Sequence, residues 1–201
     1  MYKVGITGGI GSGKTTVCKV FEVLGIPVFY ADTVAKEIMI TDVLLIEGVK
    51  NAFGKESYSE DGKLNNKHIA SIVFNNEVEL SKLNALVHPA VFRVFDAWES
   101  QIVADVPYTL KEAALLFESG SYKMADTTIL VTAPFETKLK RVMQRDNVTA
   151  EQVKARMDKQ LSDDEKSKLA NHFIINDEKL SIIEQVLALH QQFLNIAASH
   201  N

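Results

Sequence analysis

Cysteine is nearly absent from this chain: Cys18 stands alone among 201 residues. No internal disulfide can form, and a reducing compartment suits such a protein. Long apolar runs are missing too. No stretch of about 18 apolar residues or more occurs, so no helical membrane span is expected. Excess positive charge is also lacking. Lys and Arg total 22 against 26 Asp and Glu, for a formal charge of −4 and a pI near 5.8. That balance argues against a nucleic-acid protein held by general basicity, although it leaves room for a local basic site. Internal repeats and low-complexity tracts are absent. A strand-like run begins almost at the N-terminus and leaves no room for a secretion signal. The cytoplasm is the expected location. What remains is a chain that is 46% hydrophobic, enough to bury one sizeable core with small insertions.

Residues 8 to 15 read Gly-Gly-Ile-Gly-Ser-Gly-Lys-Thr and fill the pattern G-x-x-x-x-G-K-[ST] with Gly8, Gly13, Lys14 and Thr15. Each fixed residue has a physical task on a triphosphate. Glycines let the backbone come close to phosphate oxygens, and the loop amides form an anion nest at the positive end of the following helix. Lys14 bridges the β- and γ-phosphates in such a loop, and the Thr15 hydroxyl ligates Mg²⁺. A chance glycine-rich turn would lack the surroundings seen here. Tyr2 to Thr7 is β-prone and leads into the loop. Val17, Val20, Phe21 and Leu24 then mark one helical face that stops before Gly25.

Five short apolar runs alternate with helical patterns: Lys3 to Thr7, Pro27 to Tyr30, Tyr108 to Lys111, Thr127 to Val131, and His172 to Ile175. This order predicts an α/β fold with a parallel sheet covered on both faces. Pro89 fits the first position of a helix with Val91, Val94, Phe95, Trp98 and Ile102 on one face. The last helix shows a stripe of Ile183, Val186, Leu187, His190, Phe193, Leu194 and Ala197. Two stretches exceed a minimal core. Ala35 to Leu86 is a long insertion, and its polar loop from Phe53 to Lys63 reads as functional or mobile. Phe135 to Lys168 is densely charged. It reads as a solvated helix face or as a lid that brings cations over a polyanion.

Three features bear on the chemistry. Asp32 follows the second strand, where functional groups collect in open parallel sheets. Two roles are open to it: general base toward an attacking hydroxyl, or N-cap of a helix starting at Thr33. Arg141 and Arg145 lie four apart and share a helical face, suited to charge on a transferred group. Arg156 and Gln160 repeat that spacing. Glu118, in Leu115-Leu116-Phe117-Glu118-Ser119-Gly120, either holds Mg²⁺ through water, binds an acceptor, or simply ends an apolar run. None of the expected strands ends in an Asp of the kind that often completes the metal site. Cys18, just behind the loop, reads as a small packing residue.

Taken in order, these segments resemble the dephospho-CoA kinase family nearly end to end. The likeness is carried by Gly5 to Thr16, Ala31-Asp32, Leu83-Asn84-Ala85-Leu86-Val87-His88-Pro89, Leu115 to Gly120, Leu139 to Asp146, Arg156 to Gln160, and Ile175-Asn176. Three positions depart from the family pattern: Tyr30, Ala113 or Ala114, and Asn171. The resemblance implies a P-loop kinase with a five-stranded parallel sheet flanked by helices. It implies a nucleotide core over 1–32, 87–134 and 169–201, a helical acceptor-binding insertion over 33–86, and a lid within 135–168. ATP and Mg²⁺ are the implied cofactors, placed on Gly8, Gly9, Gly11, Ser12, Gly13, Lys14, Thr15 and Thr16, with Asn176 beside the nucleotide. The implied acceptor is dephospho-CoA, with Asp32, His88 and Glu118 near it. His88 also reads as a helix-start residue before Pro89. Asp32 is then the base, and Lys14, Arg141 and Arg145 stabilise the moving phosphoryl group. No nucleic-acid or membrane partner is implied, and oligomeric state is not legible. A nucleoside or nucleotide kinase of the same fold is the nearest alternative. A P-loop regulatory switch is more remote, since no Asn-Lys-x-Asp base-recognition motif occurs.

Overall fold

The short apolar runs become strands and the periodic segments become helices. The computed structural model describes residues 1–74, 76–103 and 105–199. In chain order the elements are β1 (Tyr2–Thr7), α1 (Lys14–Val23), β2 (Val28–Tyr30), α2 (Ala31–Thr41), α3 (Val43–Phe53), α4 (Asn66–Val73), α5 (Glu77–Ser100) and β3 (Tyr108–Glu112). They continue with β4 (Thr127–Thr132), α6 (Phe135–Asp146), α7 (Ala150–Met157), α8 (Asp163–Ser167), β5 (His172–Ile175) and α9 (Ile182–Ser199). The chain divides into two compact units, one of Met1–Tyr30 with Val103–Asn201 and one of Ala31–Ile102.

The first unit holds a five-stranded parallel sheet in the order β2-β3-β1-β4-β5. Parallel neighbours cannot be joined by tight turns, so helices carry the chain back between strands. The central strand β1 pairs Val4 with Leu110 and Ile6 with Glu112 on one side, and Val4 with Thr127 on the other. Val4, Ile6, Leu110, Ile129 and Val131 are all buried. Val17, Cys18 and Phe21 of α1 pack into this core, as does α9 through Val186 and Phe193. An aromatic group closes one part of it: Phe21 and Phe193 meet Tyr108 edge-on, with ring centres 6.4 and 5.4 Å apart. The apolar stripe of α9 is narrower than its sequence suggests. Val186, Phe193 and Ala197 are buried, whereas Ile183 and Leu187 are exposed. The α9 line follows a spacing of seven and four residues, and the outer apolar positions fall to either side of it.

The second unit is helical. Asp42 caps α3 by accepting the Leu45 N–H at 3.0 Å and also pairs with Arg93 at 2.7 Å. Asn65 caps α4 through the His68 N–H, and Asn76 caps α5 through the N–H groups of Val78 and Glu79. These caps satisfy amides that a helix start leaves without partners. One sequence expectation is corrected here. Pro89 does not open a helix: it lies inside α5, which runs unbroken from Glu77 to Ser100. An interior proline costs roughly 3 kcal/mol, and here the double cap at Asn76 and the buried Ala90, Val91 and Phe95 outweigh it. The compact helical unit runs from Ala31 to Ile102. The polar loop from Phe53 to Lys63 is built rather than loose. It forms a 3₁₀ turn over Lys55–Ser57 and a bridge between Tyr58 and Leu64, and the buried Tyr58 hydroxyl donates to the Met39 carbonyl at 2.7 Å.

Candidate active site

The loop between β1 and α1 has the geometry its composition promises. Gly11 and Gly13 take φ values of 81° and 92°, a region that glycine enters without penalty. At Gly8 a Cβ would collide with the Val131 carbonyl, and at Gly11 it would lie 2.6 Å from the Lys138 carbonyl. The absence of side chains therefore keeps the loop against β4 and α6. The Ser12 N–H closes a turn on the Gly9 carbonyl at 3.0 Å. Gly13 is the N-cap of α1, no side chain caps it, and no acidic residue stands in the first turn. The positive end of the helix is thus left for an anion. Thr15 and Thr16 are exposed in that turn. This cradle of backbone suits a triphosphate, and the exposed Thr15 hydroxyl suits a hard cation such as Mg²⁺.

Lys14 lies low against the loop. Its ammonium donates to the Gly8 carbonyl at 2.9 Å and stands 3.9 Å from Glu112 Oε1, with both side chains largely buried. Glu112 is a candidate site residue that the sequence reading did not include. It ends β3, the strand beside β1, opposite Ile6. It thus supplies a carboxylate at the carboxyl end of the strand next to the loop strand. The available signal was a Glu directly after the expected run Tyr108 to Lys111, but strand order is not written in sequence. Burial and the nearby Glu112 carboxylate push the Cys18 thiol far above its ordinary range, so it stays a protonated packing residue.

Side chains from three later segments grip the loop backbone. Buried Asn176, just past β5, donates from Nδ2 to the Ser12 carbonyl at 2.8 Å, and its Oδ1 accepts from Arg141 at 3.2 Å. Arg141 reaches the Gly11 carbonyl at 3.5 Å and Glu178 at 3.1 Å. Gln160 Oε1 accepts the Ile10 N–H at 3.0 Å. The densely charged stretch is therefore not a detached flap. Its first helix, α6, forms a wall of the loop through Lys138, Arg141 and Val142.

The remaining expected residues lie in different surroundings. Arg145 binds Asp146 through two nitrogens, at 2.7 and 3.1 Å, and Arg156 binds the same carboxylate at 2.8 Å. These cations hold the Asp146 carboxyl below its usual range, the Arg145 hydrogen bond most of all. Glu118 accepts the Leu161 N–H at 2.9 Å and pairs at 3.1 Å with Lys166, which is wholly buried. Asp32 and His88 belong to the helical unit. Asp32 is exposed in the first turn of α2, which begins at Ala31, so it is not the cap of a helix starting at Thr33. His88 sits mid-helix in α5, its ring 6.4 Å from that of Phe92, and does not start a helix. The three departures noted in sequence all have local partners or cover. Tyr30 donates to Glu22, Asn171 accepts from the Thr128 backbone and hydroxyl, and Ala113 is buried.

The dephospho-CoA kinase family model matches residues 2–181. A dephospho-CoA kinase of Salinibacter ruber is 42% identical over 182 residues, 90% of this chain and 92% of that one. A crystal structure from Thermus thermophilus superposes with a TM-score of 0.85 at 33% identity, covering 95% of this chain and 96% of its own. The dephospho-CoA kinase of Campylobacter jejuni gives 0.66 at 29% identity, covering 99% and 98%. A match that spans the glycine loop, the helical unit and the segments gripping the loop leaves one assignment: the chain belongs to the dephospho-CoA kinase family.

Proposed function

We propose that this protein transfers the terminal phosphoryl group of ATP to the ribose 3′-hydroxyl of dephospho-CoA, giving coenzyme A and ADP. The observation that carries the reading is the family match over residues 2–181, which runs through both the phosphate cradle and the helical unit. ATP lies along the loop of Gly8 to Thr16, with Lys14 on the β- and γ-phosphates. A bound Mg²⁺ neutralises phosphate charge, and Thr15 and Glu112 are the residues suited to hold it. Asp32 takes the proton of the 3′-hydroxyl as its oxygen bonds to phosphorus and the bond to the bridging oxygen of ADP breaks. Arg141, already set against the loop, stabilises charge on the transferred group. Arg145 joins it by leaving Asp146. Asn176 holds Arg141 and Ser12 in register. The helical unit takes the acceptor, with His88 on its side of the reaction.

No helix among the described residues is long and apolar enough to cross a membrane, and we place the enzyme in the cytoplasm. The direct test is incubation with ATP, Mg²⁺ and either dephospho-CoA, AMP or adenosine, reading products by mass. Dephospho-CoA should gain one phosphate with the highest kcat/KM. Better turnover of nucleosides would overturn the acceptor assignment.

A further inference from the structure

We infer that Gln160 is a positioning residue for the phosphate loop, linking the α7 segment to the cradle at the Ile10 amide. The inference rests on the proposed ATP site. A loop with glycines at 8, 9, 11 and 13 loses much conformational freedom when ordered, so contacts that hold it shape how well it is preset for phosphates. Three of those contacts act on carbonyls: Asn176 on Ser12, Arg141 on Gly11, and the Lys14 ammonium on Gly8. Gln160 acts on an amide instead: its Oε1 accepts the Ile10 N–H. The donor fixes the orientation of the amide, because an N–H can be met only by Oε1.

The surroundings make this bond matter. A cavity of about 380 Å³ lies between Gly9 and Ile10 on one side and Met157 to Glu165 on the other. The Gln160 bond crosses this gap, and the Lys138–Asp163 pair stands against Gly9 beside it. The residue next in chain is anchored elsewhere: the Leu161 N–H is held by Glu118, which is itself tied to buried Lys166. Gln160 thus stands on a fixed footing, while α7 ahead of it is tied back to α6 by the Arg156–Asp146 pair. A movement of this segment reaches the Ile10 amide through the Gln160 bond. Glu118, which the resemblance places near the acceptor, is that footing.

The test compares Gln160→Leu, which keeps the bulk and loses the acceptor, with Gln160→Glu, which keeps an acceptor oxygen. In Gln160→Leu, amide hydrogen exchange over residues 9–13 should speed up about tenfold or more, with the melting temperature held within a few degrees. Its kcat should fall about ten- to a hundredfold, the range that small misplacement of reacting groups produces, with little change in KM for dephospho-CoA. Gln160→Glu should hold kcat within about threefold, while its added charge raises KM for ATP. Exchange at the loop unchanged in Gln160→Leu, or a loss of melting temperature with kcat intact, overturns the inference and leaves Gln160 a structural contact. The exchange readout needs no turnover. Absence of dephospho-CoA phosphorylation by the parent protein would therefore refute the proposed function without touching this result.

Discussion

Lys14→Met is the substitution that separates the electrostatics of the cradle from its architecture. Lys14 has two partners in the structure, the Gly8 carbonyl at 2.9 Å and the Glu112 carboxylate at 3.9 Å, and its side chain and that of Glu112 are only 11% and 8% exposed. At that separation and an effective dielectric near 20 the gross attraction is about 4 kcal/mol. Both ions gave up hydration to be there, which offsets much of it. Removing one member of a buried pair typically costs about 3–5 kcal/mol. The 3.9 Å spacing is too long for a hydrogen bond, so a loss of about 2–3 kcal/mol is expected. For a chain of this size that is roughly 4–12 °C in melting temperature. Glu112→Gln placed on top of Lys14→Met should return part of the loss, because a neutral amide does not need a cation beside it. The coupling from the double-mutant cycle should exceed about 1 kcal/mol. Activity follows a different logic: a charge donor aimed at the transferred phosphate is worth about 10²–10³-fold in kcat, and the double variant should regain none of it. The assays are calorimetric melting and ADP release with dephospho-CoA. Turnover within tenfold of the parent in Lys14→Met would refute the charge role, and no recovery of stability by Glu112→Gln would refute the pairing.

Asp32→Asn should lower kcat by about 10²–10⁴-fold, the usual worth of a general base, with calorimetric ATP binding unchanged; a kcat within twofold would move the base elsewhere. Hydrogen exchange in α7 and the turn from Asn147 to Thr149 should slow when a non-hydrolysable ATP analogue and Mg²⁺ are added, because Arg145 and Arg156 gain a polyanion in place of Asp146. Protection at the glycine loop alone would make the Asp146 cluster a permanent one. Stability should also depend on His190 and His172. Burial lowers the pKa of both below the ordinary value near 6.5, and the Tyr108 hydroxyl lies 2.6 Å from His190 Nδ1. The unfolded chain therefore binds more protons as pH falls, so this contribution is complete above about pH 6.5 and is lost progressively below it. Melting temperature against pH should fall less steeply below pH 6.5 in His190→Gln than in the parent; parallel curves would exclude His190.

Features set by local chemistry could be read directly along the chain. The loop of Gly8 to Thr15 was legible because only glycine tolerates the conformations at Gly11 and Gly13. The five strands were legible as short, mostly apolar runs alternating with helical patterns, and each was placed to within a residue or so. Pro89 was read by its local rule and sits mid-helix, because caps and burial along 24 residues of α5 outweigh one missing N–H. The α9 stripe was read too wide, since periodicity marks a face but not how much of it meets a partner. Only the tertiary structure decided which distant side chains meet. Strand order brings the end of β3 beside β1 and so sets Glu112 near Lys14, 98 positions along the chain (112 minus 14). The same folding sends Arg141 to the loop and Arg145 to Asp146, although the two share a helical face in sequence. It also gives Gln160 and Asn176 their grip on Ile10 and Ser12. Propensity and periodicity act over a few residues, whereas these contacts depend on how the sheet orders its strands, which is settled by burial across the whole core.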